Sequence, residues 1–176
     1  MTNHLRTATL AFALSAVSAL TFAAGSHGGG HDEVAIGQPG KTANVSRTIN
    51  IDITDNMRFS SADIAVKQGE TIRFVVKNSG KIKHEMVLGT PKELKEHYAM
   101  MMKMPEIEHA DANMVTVAPG KTGEVVWQFT KAGKVDFACL QPGHYDAGMK
   151  GLVTVAETAG ATGAAPKAGA AAGHKH

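Results

Sequence analysis

The sequence predicts an all-β sandwich of about eight strands with one short helical, Met-rich insertion. Apolar residues alternate with polar ones over several short runs, clearest at Val45–Thr54 and Thr71–Lys77. Turn-forming residues recur between such runs, as in Gln68-Gly69-Glu70, Asn78-Ser79-Gly80, Pro119-Gly120 and Ala132-Gly133. One stretch, after Thr90, instead carries apolar residues at helical spacing.

Residues 1–24 read as a secretory signal: His4 and Arg6 precede an apolar run from Leu10 to Phe22, followed by Ala23, Ala24 and Gly25. The run is short for a membrane-spanning helix, so export with cleavage is expected rather than an uncleaved anchor, and no membrane association once the signal is removed. No Cys follows the run, which argues against a lipoprotein anchor. Residues 25–44 are Gly-rich and polar and carry His27 and His31, so they read as a flexible, solvated arm; weak copper capture by its imidazoles is the functional alternative.

A single domain is expected over residues 45–156. Val45, Arg47, Ile49, Ile51 and Ile53 share one side of the first strand, with Arg47 out of character. Met57 to Val66 continues, but Ser60-Ser61 puts its two halves out of phase, which predicts a bend or bulge. Thr71–Lys77 is a strong strand, and Ile82–Leu88 carries His84. Thr90-Pro91-Lys92-Glu93 is a helix start: Thr90 caps, Pro91 suits the first turn and Glu93 completes a capping box. The helix runs to Lys103 ahead of Pro105, with Leu94, His97, Tyr98 and Met101 on one face. Asn113–Ala118, Gly123–Phe129, Gly133–Ala138 and Gly151–Val155 complete the strands. Residues 157–176, Ala/Gly-rich with His174 and His176, lack the large side chains needed to offset chain entropy and read as a disordered tail.

The functional stretch is Cys139-Leu-Gln-Pro-Gly-His144-Tyr-Asp-Ala-Gly-Met149. Pro142, Gly143 and Gly148 make it a bent loop, which can aim a thiol, an imidazole and a thioether at one point. A strand would send them to opposite faces. Thiolate, imidazole and a weak axial thioether are ligands of a mononuclear blue-copper centre, which needs a second imidazole. His84 is the candidate for it. The chain's one Cys excludes an internal disulfide and, in an exported protein, calls for an explanation that metal ligation supplies. The formal charge of +2 over 176 residues, with few aromatics, argues against a surface built for nucleic acid.

An isolated His followed by Cys, His and Met on one late loop resembles the cupredoxin (plastocyanin/azurin-like) family over roughly residues 45–155. The Cys-x4-His-x4-Met spacing is most similar to a rusticyanin-type loop, and His84-Glu-Met-Val-Leu-Gly-Thr before a Met-rich segment resembles periplasmic cupredoxins of bacterial copper tolerance. The resemblance implies a Greek-key sandwich or barrel with one type 1 copper (blue or green) near one end, held by His84, Cys139, His144 and Met149. It also implies electron passage through an exposed edge at His144. Two departures stand out. Glu85 occupies a position where many relatives have a small hydrogen-bonding residue, and it could face either the copper loop or solvent. Lys83 stands where azurins have a Gly, so no fifth ligand is expected.

Two copper functions therefore compete: a periplasmic protein of copper tolerance or handling, redox-active and passing copper or electrons to a partner protein, and a soluble electron carrier between respiratory or photosynthetic partners. Met100, Met101, Met102, Met104 and Met114, near His97 and His109, raise a second, softer copper site, although consecutive Met residues point around a helix rather than at one spot, and packing is the plain alternative. An enzyme is not expected. A copper oxidase or nitrite reductase needs further His-rich sites, yet the one His-x-His is His174-Lys-His176 in the tail, and a binuclear copper centre needs two thiolates.

Overall fold

The computed structural model describes residues 36–105, 107 and 110–158. Among them, ten strands form two five-stranded sheets. The strands are β1 (Gln38–Pro39), β2 (Arg47–Thr54), β3 (Arg58–Phe59), β4 (Asp63–Lys67), β5 (Thr71–Asn78), β6 (His84–Gly89), β7 (Met114–Val117), β8 (Thr122–Gln128), β9 (Gly133–Ala138) and β10 (Lys150–Ala156), with one α-helix, α1 (Pro91–Lys103). The first sheet has the order β1-β8-β5-β2-β3 and the second β4-β10-β9-β6-β7. β2 runs parallel to β5, and β10 parallel to β4, while the other pairs are antiparallel.

The period-two pattern decides what lies between the sheets. Ile51 and Ile53 of β2, Ile72, Phe74 and Val76 of β5, Met86 and Leu88 of β6, and Val135 and Phe137 of β9 join one buried cluster with Trp127 and Phe129. Burial of each large side chain contributes about 1.5–3 kcal/mol, and the Phe59–Phe137 and Phe74–Phe129 pairs pack edge to face. Shifting any of these strands by one residue would exchange the buried set for the solvent-facing one.

The out-of-phase step at Ser60-Ser61 proves to be a change of sheet. β3 is hairpinned to β2 in the first sheet, and β4 joins β10 in the second. Ser60 fastens the crossing: its N–H donates to the Asp52 carbonyl at 2.9 Å and its Oγ accepts from Asp52 N at 2.8 Å.

Helix α1 begins as its sequence requires. Thr90 Oγ1 accepts from Glu93 N at 3.3 Å, and the Glu93 carboxylate accepts from Thr90 N at 2.7 Å. Leu94, Tyr98 and Met101 are buried against Val87, Met114, Ala138 and Leu140, forming a second cluster on the outer side of the second sheet. β6 is thus covered on both faces, and all six of its residues are buried.

Residues 36–44 depart from the flexible-arm expectation. Ile36 is buried, its carbonyl accepts the Trp127 indole N–H at 2.8 Å, and β1 pairs with β8. A 3-10 turn at Thr42–Asn44 then leads into β2. The reason is the indole, a buried donor that needs an acceptor. The signal segment, the rest of the arm, His109 and the tail beyond residue 158 lie outside the described residues. None of the described helices is long and apolar enough to cross a membrane.

Candidate metal centre

Strand register assembles the site. Lys150 of β10 pairs with Ala138 of β9, so the next residue on each side, Met149 and Cys139, lie opposite each other as the loop opens. Cys139 N donates to Met149 O at 3.1 Å. On the other flank, Val87 of β6 pairs with Ala138. Three residues back along β6, His84 is therefore level with Gln141 inside the loop. Alternation places His84, Met86 and Leu88 on the inter-sheet side, the side that Cys139 and Met149 also face.

The loop is then wound by its own backbone. His144 N donates to Gln141 O, Ala147 N to Gly143 O, Gly148 N to Tyr145 O and Met149 N to His144 O, all at 3.0–3.1 Å. Gly143 and Gly148 have φ of 82° and 89°, a left-handed conformation that favours glycine. Helix α1 holds the outside of the loop. The Tyr98 hydroxyl donates to Asp146 Oδ2 at 2.8 Å and accepts from Gly143 N at 3.1 Å, and the Tyr98 and Tyr145 rings lie 5.1 Å apart. Lys150 Nζ sits 3.6 Å over the Tyr145 ring, within cation–π range.

Three of the four residues singled out in the sequence converge by their ligating atoms. One ligand atom each from His84, Cys139 and His144 lies within 4.8 Å of the others. Cys139 Sγ is 3.2 Å from His144 Nδ1, and the two imidazole rings are 4.8 Å apart, centroid to centroid. The fourth, Met149, is fully buried in the same cluster as Cys139. His84 and Cys139 are also fully buried, whereas His144 is only partly exposed at the loop surface.

The donor set fits a soft, thiolate-binding metal such as copper. His84 Nδ1 is buried and has no hydrogen-bond partner, an arrangement that costs free energy unless something accepts its lone pair. Its other nitrogen, Nε2, lies 3.2 Å from Asp55 Oδ1. Cys139 Sγ accepts the Glu85 N–H at 3.3 Å, a contact that suits a thiolate. Without a metal, burial pushes the Cys139 thiol up to about 12, against weaker opposing help from the Gln141 and Glu85 backbone N–H groups. Burial first, and His84 second, lowers the His144 pKa, which keeps its lone pair available at neutral pH.

Glu85, left open between loop and solvent, faces the loop. It is buried and accepts a hydrogen bond from the Gln141 side chain. The supports that sequence reasoning missed are Asp55, Asn78 and Arg58. Asn78, fully buried, donates through Nδ2 to Ile82 O at 2.8 Å and Val117 O at 2.9 Å, and so pins the approach to His84. Arg58 Nη1 donates to Ala147 O at 2.8 Å and holds the loop just before Met149. In the Met-rich segment, Met101 and Met114 are buried in the helix-side cluster, and Met102 and Met104 are exposed. Those four sulfur-bearing residues thus divide between the interior and the surface.

Comparison with known proteins agrees with this geometry. The sequence pattern of copper binding proteins of the plastocyanin/azurin family matches residues 45–156. The chain is 52% identical to a copper-resistant cuproprotein CopI of Rubrivivax gelatinosus, over 75% of this chain and 79% of that protein. It is 39% identical to a CopI of Pseudomonas aeruginosa, over 69% of this chain and 82% of that protein. Among solved structures, reduced auracyanin from Roseiflexus castenholzii superposes with a TM-score of 0.54 at 25% identity, covering 64% of this chain and 98% of that one. Auracyanin B, at 19% identity and a TM-score of 0.56 over 68% of this chain and 95% of its own, shares the fold. A buried thiol flanked by two imidazoles at the end of a two-sheet sandwich is thus accompanied by a family match across the whole domain: the chain belongs to the plastocyanin/azurin family of copper-binding proteins.

Proposed function

We propose that this chain is an exported, periplasmic copper-handling protein of copper tolerance, holding one redox-active type 1 copper through His84, Cys139, His144 and Met149. The observation that carries the reading is the meeting of Cys139 Sγ with ligand atoms of His144 and of the buried His84, whose Nδ1 has no hydrogen-bond partner. The copper-resistance names of the two CopI relatives favour tolerance over simple electron carriage. The protein is a binder and carrier rather than an enzyme, and it passes copper or electrons to a partner protein.

When bound, copper supplies a one-electron couple. The chain's residues do the rest. Cys139 gives up its proton and binds as thiolate, steadied by the Glu85 N–H. The sandwich holds His84 and Cys139 where solvent does not reach, so few protein groups reorganise on a change of charge. His144, the one of the two histidines that is partly exposed, offers the route by which an electron or a partner approaches.

The test combines titration and genetics. One copper per chain should bind tightly, with a thiolate charge-transfer band that saturates at that point and is absent in Cys139→Ala. Loss of the gene should raise copper sensitivity. A band that persists in Cys139→Ala refutes the centre, and a respiratory or photosynthetic defect with normal copper tolerance favours the electron carrier.

A further inference from the structure

We propose that Asp55 is a positioning residue for the copper site: its carboxylate holds His84 in the tautomer that presents Nδ1 to Cys139 and His144, and its charge favours the more oxidised copper. The proposal rests on the assignment of His84 as a ligand.

Asp55 lies on the turn between β2 and β3, in the opposite sheet from His84. The turn is tight. Thr54 pairs with Arg58, Met57 N donates to Thr54 O at 3.2 Å, and Met57 has φ 60°, left-handed for a non-glycine residue. The turn places Asp55 Oδ1 3.2 Å from His84 Nε2. A carboxylate only accepts, so Nε2 carries the ring proton and Nδ1 keeps its lone pair. That Nδ1 is buried and has no hydrogen-bond partner. The two ring nitrogens are thus assigned different tasks by one contact, as happens where a carboxylate orients a metal-binding imidazole.

The carboxylate is itself fixed from the far side. Lys81 N donates to its two oxygens at 3.1 and 2.8 Å, and Ile82 N approaches Oδ1 at 3.5 Å. The 79–83 loop can close over Asp55 only because residue 80 is glycine, since a Cβ there would collide with Oδ1. The same turn reaches the other half of the site. Arg58 Nη1 bonds Met57 O at 2.7 Å and Ala147 O at 2.8 Å, next to the loop glycine that precedes Met149. One hairpin therefore registers the isolated histidine and the ligand loop against each other. A negative charge hydrogen-bonded to a ligand ring stabilises the higher metal charge, and because the Asp55 side chain is 37% exposed, solvent weakens that effect without removing it.

Nitrogen-15 NMR of the metal-free wild-type protein reads the tautomer directly. His84 should carry its proton on Nε2; a proton on Nδ1 overturns the proposal with no variant needed. In the copper-loaded protein, Asp55→Asn keeps an acceptor but loses the charge, and its midpoint potential should shift upward from wild type. Asp55→Ala should lose the fixed Nε2–H signal. Glu96→Gln, an exposed charge removal on helix α1, should change neither. A wild-type potential in Asp55→Asn, with the thiolate band intact and abolished by Cys139→Ala, sinks the role of Asp55 and leaves the ligand assignment standing. Absence of a Cys139-dependent band in the wild-type protein sinks both.

Discussion

Copper binding should release about one proton per chain near neutral pH, and the structure sets the number. In the metal-free protein burial holds the Cys139 thiol at about 12, so at pH 7 it is protonated by a wide margin. Moving it to thiolate without a metal would cost roughly 7 kcal/mol, at 1.36 kcal/mol per pKa unit. The metal must meet that cost, and the displaced proton goes to solvent. His144 contributes no proton at this pH, because burial and the neighbouring His84 lower its pKa from an ordinary 6.5. The apparent Cu(I) affinity should therefore rise about tenfold per pH unit between pH 7 and 8.5. The assay is competition against a chromophoric Cu(I) chelator, anaerobic and corrected for the chelator's own protonation, with calorimetry in two buffers as a check on the proton count. A slope near zero would mean that the thiol is already ionised or is not a ligand. A slope near two would mean that an imidazole is charged in the metal-free protein. Either result refutes the electrostatic argument.

Other perturbations probe the supports. Tyr98→Phe removes the hydroxyl that bridges Asp146 and Gly143, and should lower stability by about 1–2 kcal/mol and loosen the ligand loop; thermal unfolding with and without copper reads both effects. Leu94→Ala should cost about 2–5 kcal/mol by opening a cavity between α1 and the second sheet, while the copper spectrum of the folded fraction stays unchanged. Asp136 has its pKa raised, chiefly by burial, with Lys134 opposing. A carboxyl whose folded pKa lies above its unfolded value takes stability away as pH rises through that interval. Asp136→Asn should accordingly raise the unfolding temperature at pH 7 and match wild type at pH 3, and equal gains at both would contradict the burial argument.

The parts of this molecule that could be read from sequence are those set by neighbours in the chain. Residues two apart along β9 place Val135, Phe137 and Cys139 in the inter-sheet core, and Ala138 and Leu140 on the helix side. The capping box at Thr90 and the two loop glycines are equally local. What was hidden depends on pairings across long stretches of chain. Ile36 belongs to the core because its carbonyl meets the indole of Trp127, a contact no pattern in a Gly-rich arm announces. The Ser60-Ser61 phase break signalled an irregularity, but a bulge and a change of sheet break the alternation in the same way. Asp55, in an Asp-Asn turn, looks like an ordinary turn former; its tie to His84 follows only once the two sheets are face to face.

The proposed site holds a single copper between His84, Cys139, His144 and Met149. A crystal of the copper-loaded protein, with anomalous diffraction collected on both sides of the copper absorption edge, tests it most directly. One strong copper peak is expected within bonding distance of Cys139 Sγ and the Nδ1 atoms of His84 and His144, with Met149 Sδ as the more distant fourth neighbour. A copper peak at the methionines of α1 with none beside Cys139 would contradict it.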